Sequence, residues 1–123
     1  MHGGRPEKVR LSDIDCPESR QPYGQRAKQF TAKAAFNKNV TVRVTGKDKY
    51  GRSLGEVFLP NHASLNTDLL KSGLAWVYLN RTSDIAKHKA QSRAQLTRRG
   101  LWQDKEPIPP WQWRKLAKQK QLP

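Results

Sequence analysis

The sequence predicts an α+β fold, on two kinds of hydrophobic period that occur in separate segments. Alternation of apolar and polar residues marks strands at 8–14, 40–45 and 52–59. Apolar residues at helical spacing mark three helices at 24–37, 64–72 and 83–99. With 123 residues the chain has the length of one domain.

Each element has a local reason. Lys8 to Ile14 reads as a single strand, with Val9 and Leu11 on one face and Arg10 and Ser12 on the other. Pro17 and Pro22 fix the loop from Asp15 to Tyr23. The helix from Gly24 to about Asn37 turns Ala27, Phe30 and Ala34 inward. Val40, Val42 and Val44 alternate with Thr41, Arg43 and Thr45, which predicts a half-buried strand. A turn over Gly46 to Gly51 leads to a strand from Arg52 to Leu59, closed by Pro60-Asn61. Ser64 to Ser72 forms a short helix with Leu65, Leu69 and Leu70 inward, and Gly73 stops it. Ser83 is expected to cap a longer helix that runs to Arg99, carries cations in its last turn and ends at Gly100.

From Asp104 the composition changes, so the chain divides into a domain at 1–103 and a Pro/Trp-rich basic tail at 104–123. Pro107-Ile108-Pro109-Pro110 is expected to be extended. Trp111 and Trp113 are interleaved with Arg114, Lys115, Lys118 and Lys120. That pattern could stack bases and hold phosphates; the preferred expectation packs the tryptophans on the domain and leaves the last residues solvated.

Charge narrows the partner. There are 24 Lys+Arg against 10 Asp+Glu, a formal net charge of +14. The stretches 19–47 and 85–103 hold cations and no acid at all. A solvated basic face is the bland reading; a nucleic-acid partner fits better, since so strong a field costs compactness. The single cysteine, Cys16, excludes an internal disulfide and a cysteine zinc cluster, and His2, His62 and His88 lack metal-ligand spacing. No apolar stretch reaches membrane-span length. The start does not read as a signal peptide, so the expectation leaves open a cytosolic protein and an exported one whose leader has been removed.

Two segments carry chemistry: Val9-Arg10-Leu11-Ser12-Asp13-Ile14-Asp15-Cys16-Pro17-Glu18 and Asp48-Lys49-Tyr50-Gly51-Arg52. Asp15 and Glu18 offer oxygen ligands for a hard cation and a base for water. Arg10 and Arg52 offer planar forks for a phosphate gaining charge. Arg10 and Asp15 would lie about 17 Å apart if their strand ran fully extended, so the loop through Glu18 must curl back. Surface ion pairs of Arg10 with Glu7, or of Glu18 with Arg20, are the structural alternative.

The order R-L-x-x-I-D-x-P-E, helix, two strands meeting near D-K-Y-G-R, then S-L-N-x-x-L-x-x-x-G-x-A resembles the staphylococcal nuclease-like (thermonuclease) family from about Lys8 to Trp102. The endings Gly100-Leu101-Trp102 and Pro110-Trp111-Gln112-Trp113-Arg114 are similar to the tails of its bacterial members. The resemblance implies an OB-like barrel and Ca²⁺-dependent hydrolysis of DNA and RNA. It makes Glu18 the general base or water-positioning group, and Arg10 and Arg52 the holders of the scissile phosphate. Asp15 becomes a Ca²⁺ ligand, together with the backbone carbonyl of Cys16, which stands where the family often has Thr. Lys49, Tyr50 and Tyr78 fall near the nucleotide. A secreted or periplasmic bacterial protein is the expected setting.

One departure bears on all of this. The family's first β-hairpin, with its D-G-D-T-type turn, precedes the strand that begins here at Lys8 and supplies a second metal aspartate. Met1 to Pro6 is too short to hold it, which implies an N-terminally truncated barrel lacking two strands and one Ca²⁺ ligand. The corresponding expectation is a loosely folded chain, or one completed as a homodimer or by strand exchange. Asp13 adds a carboxylate nearby and reads as an exposed strand-end residue. The alternative to a nuclease is a nucleic-acid-binding module of the same fold with weakened or lost catalysis. A purely structural RNA-binding protein fits the charge but leaves Arg10, Asp15, Glu18 and Arg52 unexplained.

Overall fold

Strand β1 (Val9–Leu11) ends only three residues in, because the chain reverses at Ser12-Asp13 before β2 (Ile14–Asp15) begins. The structure, a computed structural model, describes residues 9–120, so Glu7 and Lys8 lie outside the described residues. The expected continuous strand is thus two short ones. Asp13 takes the left-handed conformation (φ 66°), which aspartate tolerates better than most residues. Beyond the turn, β2 leaves its first sheet and pairs antiparallel with β5 (Trp76–Val77).

The main sheet has the order β1-β4-β3. Strand β4 (Ser53–Phe58) lies at its centre, parallel to β1 and antiparallel to β3 (Thr41–Lys47), with a register shift between Val44 and Gly46. Among the described residues the strands do not close into a barrel, but the mixed α+β, OB-like character holds. The expected half-buried valine strand is more open than its alternation implies. As an edge strand, β3 leaves Val44 52% exposed, and of the three valines Val40, just before the strand, and Val42 pack against the core.

Helix α1 (Gly24–Ala35) lays Ala27, Phe30 and Ala34 on the core as expected. Helix α2 (Leu65–Lys71) is capped by the Ser64 side chain, which accepts from the Thr67 N–H. Leu69 and Leu70 are fully buried, with Ile14, Val57, Leu65, Leu74, Ala75 and Val77 around them. Gly73 ends α2 at φ 69°, and a Cβ there would overlap the Arg99 carbonyl.

Helix α3 (Ile85–Leu96) corrects the expected bounds at both ends. Its cap is Asp84, whose carboxylate accepts from the Ala86 N–H, and not Ser83. It stops at Leu96 rather than Arg99, because Arg98 turns left-handed (φ 52°). A fourth helix, α4 (Pro110–Lys120), replaces the expected extended tail start: Pro107 to Pro109 are non-helical, but Pro110 opens the helix. Proline suits that position because its missing N–H would have no helical partner there. No helix among the described residues is long and apolar enough to cross a membrane.

Polar groups lock the reversal at Ser12-Asp13 from below. Asn66, fully buried on α2, donates to the carbonyls of Ser12 (3.0 Å) and Gly55 (3.2 Å) and accepts from the Val57 N–H (3.1 Å). Lys87, 1% exposed on α3, places Nζ 2.9 Å from Glu56, 3.0 Å from Asp84 and 3.5 Å from Asp13. Burial alone would depress the Lys87 ammonium, but its bonds to Glu56 and Asp84 outweigh that and raise its pKa above the ordinary lysine value.

Replacing Asn66 by Ala strands the Val57 N–H and the Ser12 carbonyl in a dry interior, each costing about 1–3 kcal/mol when unpaired, while the Gly55 carbonyl keeps the Ser12 N–H. We expect Asn66→Ala to lower unfolding free energy by about 2 kcal/mol or more in urea titration. A loss below about 1 kcal/mol would show that Asn66 does not hold the turn.

Candidate active site

The turn at Asp13 delivers Arg10 to Asp15. Arg10 Nη1 donates to the carbonyls of Leu11 and Ile14, both at 2.9 Å, and Nη2 lies 3.6 Å from Asp15 Oδ1. The two residues meet through this local reversal, not through the curling of the later loop. Arg10 also sits over the Tyr78 ring, 5.5 Å from its centroid. Asp15 is buried, only 6% exposed, so its carboxylate is strongly held by its guanidinium partners.

Glu18 reaches the same place from the loop that follows. Gln21 ties that loop down: its Oε1 accepts from the Glu18 N–H at 3.1 Å, and its Nε2 donates to the Ile108 carbonyl. Gly24 is required beneath it, because a Cβ there would overlap the Glu18 carbonyl oxygen. Arg52 comes from the β3–β4 turn. Asp48 accepts from the N–H groups of Tyr50 and Arg52 at 2.9 Å each and from Arg52 Nε at 2.6 Å. Those bonds and the Arg52 charge hold the Asp48 carboxyl below its ordinary value, against the raising effect of desolvation. Because β1 and β4 run parallel, with Val9 opposite Ser53, Arg52 arrives beside Arg10.

Arg10, Asp15, Cys16, Glu18, Lys49, Tyr50, Arg52 and Tyr78 therefore line one open cleft of about 600 Å³. All eight residues singled out from the sequence are in it. Tyr50 stands at the rim, 73% exposed, within cation–π distance of Arg52 and Lys49. Tyr78 is half-buried, with Arg10 over its face and Trp111 at its edge.

The expected pair of Glu18 with Arg20 does not occur among the described residues, and the other, Arg10 with Glu7, falls on a residue outside them. Arg10 pairs with Asp15, and Glu18 pairs with Arg114 of α4 rather than with Arg20. Arg114 bridges both carboxylates, with Nη2 2.8 Å from Asp15 Oδ2 and Nη1 2.9 Å from Glu18 Oε1. Those bonds raise its pKa despite the opposing effect of desolvation. In sequence Arg114 was one cation of a basic tail; the signal that could have singled it out is Trp111, three residues earlier. Trp111 packs edge-on to Trp76 (5.8 Å) and Tyr78 (5.7 Å) and so docks α4 at the cleft.

For a cation, the donors fit by chemistry: Asp15, Glu18 and the Cys16 carbonyl are all hard oxygens. No group of three or more His, Cys, Asp or Glu side chains placed to hold a metal occurs among the described residues. A calcium-sized ion there would draw its remaining oxygens from water or phosphate.

Residues 8–104 match the family model described as staphylococcal nuclease homologue. The chain belongs to that family. It is 37% identical over 114 residues to an uncharacterized endonuclease of Escherichia coli O157:H7, covering 93% of this chain and 74% of that protein. It is 39% identical over 116 residues to an uncharacterized endonuclease of Haemophilus influenzae, covering 94% and 65%. To a micrococcal nuclease of Shigella flexneri it is 36% identical over 121 residues, covering 90% and 70%. The matched stretch ends before α4 and so does not take in Arg114.

The chemistry of Cys16 follows from its neighbours. Burial, then the negative charge of Asp15, push its thiol up to about 12, with Arg10 pulling the other way. The rise disfavours the thiolate, so at pH 8 the folded chain holds on the order of a hundred- to a thousandfold less of it than the unfolded chain. We expect maleimide or iodoacetamide to label Cys16 slowly in buffer and rapidly in guanidinium. Equal rates would place the thiol in open water.

Proposed function

We propose that this chain is a Ca²⁺-dependent nuclease that cleaves the phosphodiester bonds of DNA and RNA. The observation that carries the reading is the convergence of Arg10 and Arg52 with Asp15 and Glu18 on one open cleft, from segments some forty residues apart in sequence. Family membership and the nuclease names of three relatives support it. The +14 charge supports a polyanionic substrate bound with little sequence preference and with strong salt dependence.

In this reading a phosphodiester enters along the Tyr50 rim, with a base against the exposed ring and phosphates beside Lys49. Arg10 and Arg52 hold the two non-bridging oxygens, which gain charge as phosphorus becomes pentacoordinate. Each has a fixed orientation before substrate arrives: Arg10 is held by the Leu11 and Ile14 carbonyls, and Arg52 by Asp48. That leaves for the phosphate the Arg52 Nη groups and the Arg10 Nε and Nη2 hydrogens not turned to Asp15. Glu18 takes a proton from the attacking water, whose oxygen bonds to phosphorus as the leaving oxygen departs. Asp15 and the Cys16 carbonyl would hold Ca²⁺, which when bound supplies positive charge against the phosphate.

The test separates chemistry from binding. Glu18→Gln keeps the shape but not the base, so cleavage should fall about 10²–10⁴-fold while affinity for uncleaved nucleic acid stays nearly unchanged. Arg52→Lys should also be severe, since a point charge replaces a planar fork. If Glu18→Gln cleaved at the parental rate, Glu18 would not be the base and the mechanism would fail.

A further inference from the structure

The Arg114 bridge has a consequence for the cation. One guanidinium fork joins Asp15 Oδ2 and Glu18 Oε1, from a helix docked by Trp111 on Trp76 and Tyr78. Its other anchors lie outside the cleft: Pro110 is buried, and the carbonyl of Ile108 accepts from Gln21. The fork therefore sits on the two carboxylates because α4 is held there by packing, in addition to its attraction for them.

We infer that Arg114 is a tethered competitor for the divalent cation: it occupies the carboxylate pair in the cation-free protein and must withdraw when the cation binds. The inference rests on the proposed role of Asp15 as a Ca²⁺ ligand. Three observations support it. Asp15 already accepts from Arg114 on Oδ2 at 2.8 Å and has Arg10 Nη2 3.6 Å from Oδ1, so a guanidinium faces each of its oxygens. A dication placed on Asp15 with both guanidiniums in position would face two like charges at ion-pair distance. The Arg114 side chain is 43% exposed, so it has open solvent to move into, whereas Arg10 is 22% exposed and fixed by two carbonyls. Of the two arginines, Arg114 is the one that can leave.

Withdrawal frees both groups at once. Asp15 regains an oxygen for the cation, and Glu18 loses the partner that occupies its Oε1. The tail helix thereby makes the base available only when the cation site is filled. Because coupling between two bound groups is reciprocal, loss of the fork must tighten cation binding by the factor by which the cation weakens the fork.

Ca²⁺ binding to the full chain, measured by titration calorimetry without nucleic acid, tests this. We expect R114Q to bind Ca²⁺ at least about fivefold more tightly than the unaltered chain, with R114K in between. Ca²⁺ should also change tryptophan emission in the unaltered chain, as the Arg114 end of α4 shifts Trp111 and Trp113, and should change it much less in R114Q. Circular dichroism checks that each variant is folded; if R114Q is not, R114K carries the comparison with a smaller gain. Equal or weaker Ca²⁺ affinity in the folded variant overturns the inference, as does failure of every variant to bind Ca²⁺. Cleavage is scored separately. Ca²⁺-dependent cleavage with no change in affinity sinks the competitor and leaves the nuclease; tighter binding without cleavage by any variant does the reverse.

Discussion

Everything at the site depends on the chain reversal at Ser12-Asp13. Without it Arg10 would stand a strand's length from Asp15, and β2 would have no route to β5. The reversal is held from four directions. Ser12 donates to Gly55 at 2.9 Å, Asn66 donates to the Ser12 carbonyl, the Tyr78 N–H donates to the Asp13 carbonyl at 2.9 Å, and Lys87 lies against the Asp13 carboxylate. Arg10 itself closes the turn through the Ile14 carbonyl. The same side chain thus builds the loop and presents its free edge to the cleft, so its orientation is set before any ligand arrives. That is the kind of preorganisation electrostatic catalysis requires.

In the cleft each carboxylate is paired, and cations remain over. Asp15 and Glu18 are flanked by Arg10 and Arg114, while Arg52 is held by Asp48 in the adjoining turn. Lys28 and Lys49 add positive field at the lining without a carboxylate partner among the ion pairs described. A phosphate entering here meets oriented guanidiniums with charge to spare, and a cation meets carboxylates that are already engaged. Anion binding is therefore favoured by the resting arrangement, and cation binding requires a rearrangement. The asymmetry arises because helix α4 adds Arg114 to a cleft that already holds Arg10 and Arg52.

Much of this was legible in the sequence, for physical reasons. Ser64 before Leu65, Leu69 and Leu70 announces α2 by cap and period, and the cleft residues follow from two short segments whose order resembles a known family. The reversal leaves only a faint mark in the sequence: the alternation of Val9 to Ser12 fails at Asp13, and Ile14 falls out of phase with Val9 and Leu11. Aspartate in the left-handed region is a weak signal, and Asn66 and Lys87, which hold it, lie over fifty residues away. Helix α3 was misplaced by one residue at its cap, since Ser83 and Asp84 can each accept from the first turn and only packing decides. Arg114 was hidden differently. Its partners are 96 and 99 residues distant, and the prolines before it suggested an extended tail rather than a helix start.

The central claim is that this cleft hydrolyses phosphodiesters, and nicking of supercoiled plasmid by the unaltered chain tests it most directly. Nicked and then linear DNA should accumulate with Ca²⁺, stop on addition of a chelator, and resume when Ca²⁺ is restored in excess. Plasmid that stays supercoiled with Ca²⁺ present, while the same protein still retards it on a gel, would contradict the claim and leave a binding module in its place.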